Sequence, residues 1–315
     1  TRLWIDRVFT IRGAGTVVTG TLRAGTLRTG DELYLPRGDT RVTVRGLHRM
    51  GAAENEVLPV SRVGVNLRGI PVDALRRGDA LLTPGRWCDT VLLDARLRGR
   101  DAATVPRELM LHIGSASTSV RTRPLGHDTV RLSLRAPLPL RIGDRALLRD
   151  PGQHRIVAGV TVLDVRPPQL RRRGDARQRA RELADREASP NGELARRRLV
   201  RADELRAMGA QAPPEAARAG SWLLDPSYRE QLGSRLVELV EHHERAHPLS
   251  AGLSHEAARR ALDLPDARLL PLVLESTAAT GLTEHHGRLR RDAPVLPRPV
   301  RQAVCALRAA LLPHP

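Results

Sequence analysis

The sequence predicts a multidomain β + α protein, with two small β-barrels followed by helical modules. Short β-branched runs alternate with turn signals up to about residue 166, and helix-forming alanine, leucine, glutamate and arginine dominate beyond Pro167 and Pro168. The 315 residues suffice for two or more domains, and the 41% of hydrophobic residues suffice for buried cores. The longest apolar runs are far shorter than the roughly 20 residues that cross a membrane.

The first β unit is expected over residues 1–87. It opens on the apolar Leu3, Trp4 and Ile5, and glycine-containing turns separate the runs that follow. Several short strands over so short a span favour a small closed barrel. The predicted strands are 16–21, 32–35, 41–47 and 63–67.

A second β unit is expected over residues 88–167. Pro137, Pro139 and the Asp150-Pro151-Gly152 turn separate its strands. The change in composition predicts a linker at 166–170. The predicted strands are 109–113, 130–134, 145–148 and 156–165.

The remaining residues divide into two expected winged-helix modules, 170–224 and 225–292, and the start of a further truncated helical module at 297–315. In the second module three helices precede a hairpin that turns at His286 and Gly287, the order of a winged helix. The predicted helices are 175–188, 193–200, 202–208, 227–247, 254–261, 266–280 and one that starts near residue 300.

Charge favours a polyanionic partner. The chain has 52 basic and 35 acidic residues, a net charge of +17, which indicates RNA or DNA before a membrane surface. Every basic residue is arginine, however, so part of this charge also fits a general compositional bias.

The absence of lysine limits the chemistry. A phosphate-binding loop and a guanine-reading Asn-Lys-x-Asp motif both need lysine, so we expect no nucleotide site and no catalysis in this chain. Cys88 and Cys305 are too few for a disulfide framework or a zinc site, which fits a reducing cytoplasm. The histidines lack a metal-binding spacing, so no metal is expected.

Four motifs of the first β unit resemble domain 2 of the translational GTPases. They are VFTIRGAGTVVTG at 8–20, GD at 30–31, VGVNLRGI at 63–70 and RGD at 77–79. Residues 88–166 resemble the companion barrel, domain 3, through RIGDR at 141–145 and LRD at 148–150. Two such barrels followed by winged helices resemble the selenocysteine-specific elongation factors, the SelB family. HPLSAGL at 247–253 is similar to a recurring Asn-Pro-Leu-x-Pro-Gly-Met stretch there, with three departures.

The resemblance implies a factor that binds selenocysteinyl-tRNA and delivers it to the ribosome at recoded UGA codons. GTP and magnesium are implied for the full-length factor, together with a messenger RNA hairpin read by modules mostly missing here. A GTPase domain is expected ahead of Thr1, outside this chain. The chain itself is then expected to be a cytoplasmic, monomeric binding fragment without a cofactor. The alternatives are a fragment of another elongation-factor-like GTPase and a winged-helix nucleic-acid-binding regulator.

The resemblance also locates a selenocysteine pocket. General elongation factors have an acidic residue two positions before the Phe and an Asn directly before Val-Gly, where this chain has Arg7 and Arg62. A guanidinium is always charged, so two of them suit a selenolate, although both are also two among many arginines. Phe9 is either a pocket wall or a core residue. Possible RNA contacts, or solvated helix and hairpin faces, are Arg171, Arg172, Arg173, Arg288 and Arg290.

Overall fold

The computed structural model describes residues 1–184, 192–277, 281–291 and 298–311. It divides the chain into two compact units. Residues 1–191 and 203–211 form the first, and residues 192–202 and 212–315 form the second.

The first unit begins with the predicted closed barrel of six strands. Antiparallel pairing runs in the order β4-β9-β1-β2-β8-β5, β5 pairs back to β4, β6 extends β5, and β3 pairs with β7. Alternate residues such as Val18, Leu22, Val63 and Val65 fill the core, so the residues between them lie on the outer face. The strands are β1 (Arg2–Ile11), β2 (Gly15–Leu22), β3 (Leu27–Arg28), β4 (Glu32–Leu35), β5 (Thr40–Arg49), β6 (Ala52–Glu54), β7 (Glu56–Val57), β8 (Ser61–Arg68) and β9 (Ala80–Leu82).

A second closed barrel follows within the same unit, also as predicted. Its strand order is β10-β13-β12-β11-β14-β15. Arg2 joins the two barrels, since its guanidinium donates to both carboxylate oxygens of Asp144, at 2.6 and 2.7 Å. The strands are β10 (Cys88–Arg98), β11 (Glu108–Ile113), β12 (Ala116–Pro124), β13 (Thr129–Leu140), β14 (Arg145–Asp150) and β15 (Arg155–Asp164).

The expected linker at 166–170 does not separate the compact units. Helix α1 (Asp175–Ala184) packs on the second barrel, with Leu183 against Leu125 and Leu163. Arg179 on α1 donates to two buried carboxylates of that barrel, Asp94 at 2.8 Å and Asp164 at 2.6 Å. Buried carboxylates need a cation, and this one comes from α1. Positions 185–188 of the predicted helix lie outside the described residues.

The expected helical module 170–224 contains short strands. The helix predicted at 193–200 ends early, because Arg198 takes a left-handed φ of 68° and the next residues form a strand. Strands β16, β17 and β18 form a sheet in the order β16-β18-β17. The elements are α2 (Glu193–Arg197), β16 (Leu199–Arg201), α3 (Ala202–Ala207), β17 (Ala217–Ala219) and β18 (Trp222–Leu224).

The second module has the predicted order of three helices and a hairpin. Asp225 caps α4 by accepting a hydrogen bond from the Tyr228 N–H at 3.0 Å, ahead of Pro226 at the first helical turn. The hairpin turns at His286 and Gly287, which both have positive φ as a two-residue turn requires. The elements are α4 (Pro226–Ala246), β19 (Leu253–Ser254), α5 (His255–Ala261), α6 (Leu269–Glu275), β20 (Leu282–His285) and β21 (Arg288–Arg291).

A last helix, α7 (Arg298–Leu311), begins where the sequence predicts one. The ends of two predictions, 278–280 of a helix and 312–315 of the truncated module, lie outside the described residues, as does the connection 292–297.

Candidate functional site

A β-bulge in β1 gives the first barrel its cluster of charged side chains. The pairing of β1 with β2 shifts between Ile5 and Arg7, so that Ile5 faces Gly20 and Arg7 faces Thr19. Ile5 is buried in the core, whereas Arg7 is exposed and Asp6 is partly exposed. Successive residues of a regular strand point to opposite faces, and the extra residue of the bulge lets Asp6 and Arg7 share the outer one.

Arg62 reaches the same face from β8, on the other side of β2. Its Nη1 and Nη2 donate to the two carboxylate oxygens of Asp6 at 2.5 and 3.1 Å. The Thr19 hydroxyl of β2 donates to Asp6 Oδ1 at 2.6 Å. Burial would raise the pKa of Asp6, but the hydrogen bonds from Thr19 and Arg62 and the charges of Arg62 and Arg7 hold it below its ordinary value.

Small residues keep the floor beside these charges open. Gly64 lies between Thr19 and His48 in cross-strand register, and a Cβ built there meets nothing closer than 3.8 Å. Thr19, Gly64 and His48 thus form one row of neighbours across the strands, and the next row consists of Phe9, Val17, Asn66 and Gly46. These two rows form a shallow trough of bare backbone and short side chains, with Arg7 and Phe9 along its β1 side and His48 on its β5 side.

Two positions in the trough bear on binding. Phe9 lies on the outer face with 38% of its surface exposed, so it lines the trough and is not a core residue. Among the described residues, Asn66 Oδ1 is one of several buried side-chain atoms without a hydrogen-bond partner.

The structure thus brings Arg7, Arg62 and Phe9 onto one face, and it adds residues that the sequence reasoning missed. Asp6, Thr19, His48 and Asn66 belong to the same surface. Asp6 stands next to Arg7 in the sequence, but only the bulge places both side chains on one side. Two guanidiniums and one carboxylate give a site that attracts an anion and contacts a flat group on its floor.

The other predicted arginines lie apart from this face. Arg171, Arg172 and Arg173 are exposed in the first unit, where the backbone N–H groups of Arg171 and Arg172 donate to Asp175. In the second unit the exposed Arg288 donates to the Gly252 carbonyl at 2.9 Å. Arg290 is half-buried and its Nε has no partner in the described structure.

The helix that reads bases in winged helices corresponds to α6 here. Its residues Leu269, Leu270 and Val273 are buried, and its exposed positions include Pro271 and Glu275. A recognition helix normally presents donors and cations to the groove. Arg268, directly before α6, is exposed and provides a cation at this end of the helix.

The described ranges contain neither a cluster of metal-binding side chains nor a membrane-spanning helix. No group of three or more His, Cys, Asp or Glu side chains there is arranged to hold a metal ion. No helix in the described part of the chain is long and apolar enough to cross a membrane. Of the two cysteines, Cys88 is buried and Cys305 is exposed, and neither forms a disulfide.

Both barrels match known protein families. Residues 15–82 match the family described as Elongation factor Tu domain 2. Residues 96–169 match the family described as Selenocysteine-specific elongation factor, beta-barrel domain. The first match includes Thr19, Arg62 and Asn66 of the trough.

Relatives with one name match most of the chain. The Selenocysteine-specific elongation factor of Escherichia coli (strain K12) is 28% identical over 310 residues, covering 91% of this chain and 49% of the relative. That of Desulfomicrobium baculatum is 32% identical over 183 residues, covering 54% of this chain and 29% of the relative. The chain therefore spans about half or less of the length of these relatives.

A solved structure shares the fold. The crystal structure of a bacterial selenocysteine-specific elongation factor, EF-Sec, superposes with a TM-score of 0.72 at 15% identity, covering 98% of this chain and 53% of that one. The chain is thus similar in sequence to proteins named selenocysteine-specific elongation factor, and the superposition shows a shared fold.

Proposed function

We propose that this chain is part of a selenocysteine-specific elongation factor and binds the aminoacyl end of selenocysteinyl-tRNA on the first barrel. The single observation that carries the proposal is the placement of Arg7 and Arg62 on one outer face, where Arg62 is bonded to the carboxylate of Asp6 and the charge of Arg7 acts on it. Another elongation-factor-like GTPase is expected to lack both arginines.

The chemistry of the amino acid fits this face. A selenol is more acidic than a thiol and is an anion at neutral pH, whereas the serine hydroxyl stays neutral. A permanently charged guanidinium distinguishes the two, because it forms an ion pair with the selenolate and only a hydrogen bond with the neutral hydroxyl. Serine is the competitor to exclude, since it differs from selenocysteine only at the atom that carries this charge.

In the complete factor, the proposed activity is GTP-dependent delivery of selenocysteinyl-tRNA to the ribosome at recoded UGA codons, guided by a messenger RNA hairpin in the cytoplasm. The residues of this chain do not fit the GTP and magnesium that such a factor uses. A phosphate-binding loop needs a lysine, and this chain contains none. The proposed part of this chain is therefore to bind and discriminate the aminoacyl group.

Substitution of either arginine tests the proposal. In the full factor with GTP, Arg7→Ala and Arg62→Ala should each weaken the selenocysteinyl-tRNA complex while leaving the seryl-tRNA complex nearly unchanged. A charge-assisted contact contributes about 1.5–3 kcal/mol, or roughly 10- to 150-fold in affinity. Arg62→Ala should have the larger effect, because it also releases the Asp6 carboxylate beside the anion. Protection of the aminoacyl ester from hydrolysis measures both complexes.

A matched control is Arg41→Ala. Arg41 is an exposed arginine of the same barrel, paired with Glu32 away from the trough, so its loss should change neither complex. If both Arg7→Ala and Arg62→Ala keep the wild-type preference for selenocysteine, the pocket assignment is wrong.

A further inference from the structure

The Asp6 carboxylate is held by three hydrogen bonds on the surface where the anion is expected. Two come from Arg62 and one from Thr19, at 2.5, 3.1 and 2.6 Å. The Nη1 and Nη2 of Arg62 form the edge of a guanidinium that usually holds a carboxylate or phosphate side by side. In the free protein, Asp6 therefore already occupies the edge of Arg62 that a bound anion would use.

Arg7 is in a different position. It is exposed, and no ion pair or hydrogen bond of its side chain is found in the described ranges. Its charge nevertheless acts on Asp6. Arg7 is consequently the guanidinium whose donors are available to a ligand, while Arg62 is held in place by its partner.

A further arginine, Arg45, lies in the β5 bulge beside Gly46, is exposed, and donates to the neutral Ala14 carbonyl at 3.2 Å. Arg49, from the same end of β5, pairs with Glu54 at 3.3 Å. His48 lies across Gly64 from Thr19 and is exposed. Arg7, Arg62 and Asp6 by themselves leave one uncompensated positive charge beside the trough.

We propose that Asp6 is a positioning residue that acts through Arg62 as an internal counter-ion and lowers the positive charge that a bound side chain meets. This inference rests on the proposed function. A neutral side chain gains little at such a site, a monoanion can pair with Arg7, and a dianion brings a second charge that Asp6 repels at close range. The site then discriminates against side chains with two negative charges as well as against the neutral side chain of serine.

The experiment compares three aminoacyl groups on the same tRNA: serine, selenocysteine and O-phosphoserine, which is mostly dianionic at neutral pH. Ester protection is measured in the full factor with GTP, for the wild type and for Asp6→Asn, which keeps the shape and removes the charge. The wild type should prefer selenocysteine over both others. Asp6→Asn should raise the affinity for the phosphoseryl group about tenfold, as expected for one unit charge at a screened surface, and leave the seryl group unchanged.

Glu32→Gln serves as the matched control, because it removes the carboxylate of an exposed arginine pair on the same barrel outside the trough. It should leave all three affinities unchanged. A merely structural role for Asp6 predicts that Asp6→Asn weakens all three groups alike, and this result would overturn the inference. An unchanged phosphoseryl affinity in Asp6→Asn, with a normal preference in the wild type, also overturns it but leaves the proposed function intact. A wild type that does not distinguish selenocysteine from serine contradicts the proposed function itself.

Discussion

Helix α4 packs so closely against the segment after α6 that one added carbon atom would disturb the contact. Gly233 of α4 is buried, and a Cβ built on it lies 2.4 Å from the Ser276 hydroxyl and 3.3 Å from a Thr277 methyl. Contacts that short force neighbouring atoms to move. Position 233 therefore requires glycine because α4 and the segment after α6 lie so close together. Glycine is kept there although a glycine in the middle of a helix by itself lowers stability.

Gly233→Ala should lower the free energy of unfolding of the second unit by about 1–2 kcal/mol. Overpacking costs about 1–3 kcal/mol, and the better helix propensity of alanine returns up to about 1 kcal/mol. Chemical denaturation monitored by circular dichroism measures the change. Adding Ser276→Ala removes the shortest contact, so the double variant should recover most of the loss. If the single variant is as stable as the wild type, the crossing is looser than described.

At the scale of elements, α1 depends on one arginine. Arg179 contacts two carboxylates of the second barrel, and Asp94 is fully buried between Arg179 and Arg131 of β13. Such groups are stable when paired and costly when one partner is lost. α1 is thereby tied to the barrel by charge as well as by the apolar contact of Leu183.

Arg179→Leu should destabilise the first unit by about 3–5 kcal/mol, because it removes a cation that contacts two buried carboxylates, Asp94 and Asp164. Hydrogen exchange should show faster exchange in residues 175–184 and in the neighbouring barrel strands. Arg177→Leu is the control on the same helix, since Arg177 is exposed and should tolerate the change. Equal behaviour of the two variants would show that the buried ion pairs do not hold α1.

At the scale of the whole molecule, the two compact units have separate hydrophobic cores. The first barrel is filled by residues such as Leu3, Val18 and Leu47, and the second unit by residues such as Leu236, Leu269 and Leu289. Each core lies within one unit. Domains that bury separate cores unfold as separate cooperative transitions.

Calorimetry of this chain should therefore show two unfolding transitions. Gly233→Ala should lower the midpoint of one, and Arg179→Leu the midpoint of the other, because each variant perturbs one unit. A single transition that both variants shift equally would mean that the units unfold together.

Local sequence signals predicted much of the fold. Helix α4 was expected at 227–247 and lies at Pro226–Ala246, because Asp225 and Pro226 begin it and Pro248 follows its end. The hairpin turn at His286 and Gly287 was expected for a similarly local reason. The strand after α2 was not predicted, since the short run Leu199–Arg201 becomes a strand only by pairing with Trp222–Leu224.

The candidate site divides in the same way. The motifs identified Arg7, Arg62 and Phe9, because each of these residues stands at a position that can be matched to a family motif from the sequence alone. Asp6 and Thr19 were missed, because their part depends on a bulge in β1 and on the register of β2 with β8.

The sequence by itself determined two barrels, the order of helices and hairpin that follows them, and the replacement of two pocket positions by arginine. Those features depend on residue type and spacing, which act over a few neighbouring residues. Only the tertiary structure decided that α1 packs on the second barrel and that the carboxylate of Asp6 accepts hydrogen bonds from Arg62. Both depend on charged groups more than 50 residues apart in the chain, whose pairing is fixed by barrel closure and burial.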